Sequence, residues 1–245
     1  MNTIPIIALD CPTAAAALAI VDELGDGCRF YKIGSELFTA EGPPIVRAVR
    51  DRGADVFLDL KFHDIPNTVR AAVTSAAGLG VRLVTVHASG GRAMLRAAAA
   101  AAATSAGAGP RCRILAVSVL TSLDAPSLAE SWGRAPTVRV DEEVVRLARL
   151  AQSSGIDGLV CSAQEAGAVR TALGTGLDLL VPGIRPTGSG HDDQVRVATP
   201  GAAAAAGATY IVVGRAVTEA PDRRAAMGAI LGELRGPSSQ ALSAS

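Results

Sequence analysis

Short apolar runs recur along the chain at even spacing, and segments of helical composition lie between them. Eight runs read as strands: residues 4–10 (IPIIALD), 29–34 (RFYKIG), 55–61 (DVFLDLK), 82–88 (RLVTVHA), 113–120 (RILAVSVL), 158–162 (GLVCS), 178–184 (DLLVPGI) and 209–215 (TYIVVGR). They are rich in Val, Ile and Leu and alternate little between apolar and polar. That is the pattern of parallel strands buried on both faces. The intervening segments carry helix signals. Thr13 can cap a helix through AAAALAIVDEL, which Gly25 can end. Further helices are expected over 44–52, 66–79 (opened by Pro66), 90–106, 141–154, 164–173 and 221–235. The seven alanines Ala97 to Ala103 are helix-former composition.

Eight β–α units in series predict a single-domain (β/α)₈ TIM barrel spanning residues 1–235, with a loose tail at 236–245. A doubly wound open sheet is the alternative. The even spacing, and the lack of a GxGxxG turn after the first strand, favour the barrel.

Composition narrows the function classes. Hydrophobic residues make up 49% of the 245 positions and charged residues 19%, enough for a large core and too apolar for wholesale disorder. Basic and acidic residues balance at 23 each, which argues against non-specific nucleic-acid binding. Aromatics at 3% argue against a base-stacking platform. No apolar stretch reaches the roughly 18 residues of a membrane span. The N-terminus lacks a basic flank, and its apolar run is cut by Pro5 and ended by Asp10, unlike a signal peptide. Cys11, Cys28, Cys112 and Cys161 are scattered, with no CxxC pair or His/Cys cluster for a metal or a disulfide framework. A reduced, cytoplasmic, soluble protein is expected.

In a parallel barrel, chemistry sits at the C-terminal ends of the strands. Asp10, Lys32, Asp59 with Lys61, His87, Thr121 with Ser122, Arg185 and Arg215 gather there. The densest group is DLKFHDIPNT, residues 59–68. Asp59 and Lys61 are two apart on one strand and share a face. If that face is interior, the charges must pair. Asp64 follows, and Lys32 on the neighbouring strand can complete a Lys–Asp–Lys–Asp array. An isolated Asp/Lys pair reads as a structural salt bridge; four converging charges at the catalytic end read as function. His63, inside the cluster, reads as a packing or hydrogen-bonding residue.

A second constellation suits phosphate. The loops after strands seven and eight carry Pro182-Gly183-Ile184-Arg185 and Val213-Gly214-Arg215. Glycines let backbone N–H groups approach an anion, and arginines offer fork-shaped donors. Between them the Gly-rich segment 186–200 has the composition of a lid, with Gln194 the amide best placed to reach back to the anion. Thr121 and Ser122 can hydrogen-bond a polar ring or cap the next turn.

These blocks together resemble the orotidine 5'-monophosphate decarboxylase family. DLKFHDIPNTV carries the resemblance, joined in order by ALD (8–10), KIGSELFTAEGP (32–43), VHASGG (86–91), VLTS (119–122), VPGIRP (181–186), DDQVRVATP (192–200) and VVGRAVTEA (212–220). The resemblance implies that Asp10 and Lys32 hold the ribose and the charge network. It makes Asp59, Lys61 and Asp64 the catalytic array, with Lys61 as proton donor. Thr121 and Ser122 would face the pyrimidine, and Arg185, Gln194, Gly214 and Arg215 would grip the phosphate. It further implies a homodimer, with Asp64 and Thr68 reaching into the partner's site, and a reaction without cofactor or metal. Tyr31 and Cys11 depart slightly from the family's smaller or aliphatic residues. The rivals are a magnesium-dependent barrel enzyme acting on a sugar phosphate, against which HDIPNT and DDQ weigh, and a non-catalytic phosphate-binding protein of the same fold.

Overall fold

The computed structural model describes residues 3–104, 110–186 and 197–235. Its elements run β1 (Ile4–Ala8), α1 (Ala14–Leu24), β2 (Phe30–Gly34), α2 (Ser35–Glu41), α3 (Pro43–Arg50), β3 (Asp55–Phe62), α4 (Pro66–Gly78), β4 (Leu83–His87), α5 (Gly91–Thr104), β5 (Arg113–Val117), α6 (Ala125–Trp132), α7 (Val140–Gln152), β6 (Gly158–Val160), α8 (Ala163–Leu173), β7 (Asp178–Val181), α9 (Pro200–Ala205), β8 (Tyr210–Val213), α10 (Arg215–Thr218) and α11 (Arg223–Arg235). The strands pair in sequence order, all parallel, and β8 returns to β1 to close the barrel. The open-sheet alternative is thereby excluded. Among the described residues no helix is long and apolar enough to cross a membrane. The proposed tail at 236–245 and most of the lid segment lie outside the described residues.

Alternation within each strand splits the core in two. Ile6 and Ala8, Phe30, Phe57, Leu83, Leu115, Leu180, Tyr210 and Val212 form one buried cluster. Their neighbours Ile7, Tyr31, Val56, Leu58, Val84, Ile114, Leu179 and Ile211 belong to the larger cluster with the helices. The smaller cluster is the barrel interior, and the larger is the layer between sheet and helices. Both faces are apolar, so the strands show little polar alternation in sequence.

This parity places the polar residues. Arg113 and Asp178 share the inward phase of Leu115 and Leu180 and close the N-terminal end as an ion pair at 2.8 Å. Burial there pushes the Asp178 carboxyl up from its ordinary value, against the pull of Arg113. At the opposite end, Lys32, Asp59 and Thr85 stand one inward step above Phe30, Phe57 and Leu83.

The local signals acted where expected at α1, where the Thr13 side chain accepts from Ala16 N and Gly25 closes the helix at φ 50°. Strand ends differ from expectation. β5 stops at Val117, so Thr121 and Ser122 lie in the following turn and not at a strand end. Likewise β7 stops at Val181, and Arg185 is reached through an isolated bridge pairing Ile184 with Ala198.

Candidate active site

The C-terminal mouth of the barrel holds a cavity of about 450 Å³ lined by Asp10, Lys32, Asp59, Lys61, Thr121, Arg185, Gly214 and Arg215, among others. That volume is in the range of small-molecule sites. Residues far apart in sequence converge because they lie towards or just beyond the C-terminal ends of several strands of one closed sheet.

Two ion pairs form the charged floor. Lys32 Nζ meets Asp10 Oδ1 at 2.7 Å, and Lys61 Nζ meets Asp59 Oδ2 at 2.7 Å. Each pair has one largely covered and one more open member: the Lys32 and Asp59 side chains are 12% and 13% exposed, those of Asp10 and Lys61 57% and 37%. A largely covered charge is tolerable because it is paired, and all four side chains line the cavity. Gly34, which ends β2, leaves room for the first pair, since a Cβ there would stand 3.0 Å from Lys32 Nζ and 3.2 Å from Asp10 Oδ1.

The second pair rests on an irregular strand. Leu58 is in register with Val84 and Phe62 with Val86, so four steps along β3 oppose two along β4. The extra length forms a bulge. Within it Lys61 has φ 49°, the one positive φ at a non-glycine residue among those described. That conformation is disfavoured for a side chain of this size. The Lys61 amide donates to Thr85 Oγ1 at 2.9 Å, and the Thr85 hydroxyl donates to Asp59 Oδ1 at 2.8 Å. Thr85 is fully buried and carries no special signal in the sequence, so the sequence reading missed it. His87, two residues on, faces the same way, its ring 5.4 Å from that of His63. Desolvation pushes the His87 imidazole below its ordinary value, assisted by His63 and Lys61 and opposed by Asp59.

Three further expected residues lie away from the cavity. Asp64 is exposed, and its Oδ1 accepts from the Ile65 amide at 2.6 Å. Among the described residues it makes no ion pair with Lys61. Thr68, in the first turn of α4, is also exposed, next to the exposed Ile65. Ser122 is exposed in its turn. Gln194 lies outside the described residues.

Arg185 and Arg215 line the same cavity from the segments that follow β7 and β8, and β8 pairs with β1, the strand that leads to Asp10. The Arg185 amide donates to Ala198 O at 2.9 Å, which sets the two ends of the intervening segment side by side. Thr218 and Glu219, at the end of α10, also line the cavity and were not anticipated. Among the described residues no group of three or more His, Cys, Asp or Glu side chains could hold a metal ion.

The arrangement brings two ammonium–carboxylate pairs and two guanidinium-bearing residues to the lining of one cavity. It suits a small molecule that carries both an anionic group and a reacting centre.

Comparison with known proteins bears on which molecule. Residues 3–230 match the family model described as "Orotidine 5'-phosphate decarboxylase / HUMPS family". A protein of Halorhodospira halophila named orotidine 5'-phosphate decarboxylase is 52% identical over 229 residues, 94% of each chain. One of the same name from Pseudomonas aeruginosa is 49% identical over 94% of this chain and 96% of its own. The crystal structure of orotidine 5'-phosphate decarboxylase from Lactobacillus acidophilus superposes with a TM-score of 0.85 at 35% identity, covering 96% of this chain and all of that one.

Proposed function

This chain belongs to the orotidine 5'-phosphate decarboxylase / HUMPS family, and on that premise we propose that it converts orotidine 5'-monophosphate to uridine 5'-monophosphate and carbon dioxide, a step of pyrimidine biosynthesis. The observation that carries the reading is the Lys61–Asp59 pair opening into the same cavity as Arg185 and Arg215.

Loss of carbon dioxide from the orotate ring leaves an electron pair on ring carbon 6. No neighbouring group of the ring delocalises that charge, so a nearby cation must stabilise it. In this reading Lys61 supplies the charge as the bond breaks and then delivers its proton to carbon 6. The C–C bond breaks, carbon dioxide leaves, and a C–H bond forms; no electron acceptor is required.

Asp59 holds the ammonium and also places a negative charge near the leaving carboxylate. Two unit charges about 4 Å apart repel by roughly 4 kcal/mol at an effective dielectric of 20. Each ~1.4 kcal/mol is a factor of ten, so relief of this repulsion is worth two or three decades at most. Stabilisation of the carbanion by Lys61 is therefore given the greater weight.

Asp10 and Lys32 are assigned to the ribose and the charge network, and Thr121 to the pyrimidine; Ser122, exposed in its turn and away from the cavity, is given no contact. Arg185, Gly214 and Arg215, with Gln194, are assigned to the phosphate. Contacts so far from carbon 6 organise the site through binding energy. Asp64 and Thr68 are assigned to the site of a second copy in a homodimer. Their exposure beside Ile65, and the absence of an Asp64–Lys61 contact within the chain, are what that assignment needs.

The test is the ultraviolet absorbance change when the purified protein meets orotidine 5'-monophosphate with chelator and no added metal. Turnover is expected. No turnover, or turnover only with magnesium and a sugar phosphate, would overturn the proposal in favour of the metal-dependent branch. Lys61→Ala should bind uridine 5'-monophosphate yet lose almost all turnover; near-normal activity would remove Lys61 from its role.

A further inference from the structure

We infer that Thr85 is a positioning residue for the proton donor, because its one hydroxyl bonds both the Asp59 carboxylate and the Lys61 backbone amide. The inference rests on the decarboxylase reading and deepens it at the same site.

A bulge leaves backbone groups without ladder partners. At this bulge the half-buried Lys61 amide lies outside the ladder pairs of β3 and β4 and takes a side-chain acceptor instead. It finds Thr85 Oγ1 at 2.9 Å. A hydroxyl can accept and donate at once. Having accepted from Lys61, it donates to Asp59 Oδ1 at 2.8 Å. That leaves Asp59 Oδ2 for Lys61 Nζ at 2.7 Å. The three bonds form a closed ring from the Lys61 backbone, through Thr85 and Asp59, to the Lys61 ammonium.

Each bond in the ring removes a freedom. The amide bond holds Lys61 in its left-handed conformation at φ 49°. The carboxylate bond fixes the rotation of Asp59 about its own axis, so that one oxygen faces the lysine. Thr85 is itself enclosed: it has 0% exposure and lies on β4, which pairs with β3 on one side and β5 on the other, with Thr85 opposite Leu115. A threonine also suits the strand, because branching at Cβ restricts χ1 and presents the hydroxyl in few directions. A valine would match its shape and supply neither bond.

The residue acts on the reaction through Asp59 and Lys61. Misplacing a reacting group by about 1 Å can cost on the order of 100-fold in rate. Thr85→Val should therefore lower kcat by roughly 100-fold, while KM and the affinity for uridine 5'-monophosphate, set mainly at the phosphate end, move by less than about threefold. Thr85→Ser keeps the hydroxyl and should recover most of the rate.

The experiment compares wild type, Thr85→Val and Thr85→Ser for kcat, KM, product affinity, thermal stability and hydrogen exchange at the Lys61 amide. Expected in Thr85→Val are the selective loss of kcat and at least tenfold faster exchange at that amide, both restored in Thr85→Ser. Normal kcat in a folded Thr85→Val protein would overturn the inference. So would Val and Ser losing activity alike, in step with lost stability. If Thr85→Val does not fold, Thr85→Ser alone decides, since unprotected exchange at Lys61 in that variant would equally overturn the bond network. Should the wild type fail to decarboxylate the nucleotide, the functional reading falls, and the exchange data still judge whether Thr85 holds Lys61.

Discussion

Gly34 lies where a side-chain carbon would stand 3.0 Å from the ammonium of Lys32. Its φ of −92° is open to any residue, so the glycine is needed for space and not for backbone freedom. Gly34→Ala should fold with stability within about 1 kcal/mol of wild type and displace the Lys32–Asp10 pair. The expected result in steady-state kinetics is a KM for orotidine 5'-monophosphate raised roughly tenfold, which corresponds to about 1.4 kcal/mol of lost binding. An unchanged KM would mean that the pair can move without consequence for the ribose.

Arg215 is assigned to the phosphate, and that assignment separates nucleotide from nucleoside. A hydrogen bond to a charged group is worth about 1.5–3 kcal/mol. Titration calorimetry should show Arg215→Ala binding uridine 5'-monophosphate about 10- to 100-fold more weakly, with uridine affinity unchanged. Equal losses for both ligands would place Arg215 elsewhere than at the phosphate.

His87 gives stability a dependence on pH. Its imidazole is held below the ordinary value of 6.5 by burial, by His63 and by Lys61, with Asp59 opposing. The unfolded chain therefore binds a proton at a higher pH than the folded one. The contribution is fully present above the unfolded value and is lost as pH falls from there through the lowered folded value. Thermal melts between about pH 8 and 5 should show stability dropping below about 6.5. His87→Gln should flatten that slope; an identical slope in the variant would assign it to other groups.

Shared sites would show themselves by complementation. Lys61→Ala and Asp64→Ala proteins are each expected to be inactive. When mixed under verified subunit exchange, the hybrids should contain one site with both Lys61 and Asp64 intact and regain part of the activity. Exchange without recovery would keep Asp64 out of a neighbouring subunit's site.

Much of the fold was legible because parallel strands buried on two faces announce themselves as apolar runs. Strand ends were less so: residues 118–120 continue an apolar run but lie beyond the last ladder pair of β5, at Val117. Four short helices, α2, α6, α9 and α10, were overlooked, although two carried clear starts. Asp124 caps α6 by accepting from Ser127 N, and Thr199 caps α9 by accepting from Ala202 N. Of the site, the charged residues stood out because nothing in strand propensity calls for them. Thr85 did not, because threonine is ordinary in a strand and its partners, 24 and 26 residues away, become visible only in three dimensions. The bulge was equally hidden, since its cause is a register between two strands and not a residue type.

The same irregularity bears on any attempt to move this chemistry to another scaffold. Copying the triplet Asp59-Leu60-Lys61 onto a regularly paired strand would transplant the side chains without the left-handed turn that aims them. A workable graft has to carry two surplus residues, a hydroxyl on the adjoining strand and space behind it, so the transferable unit is a pair of strands and not a motif.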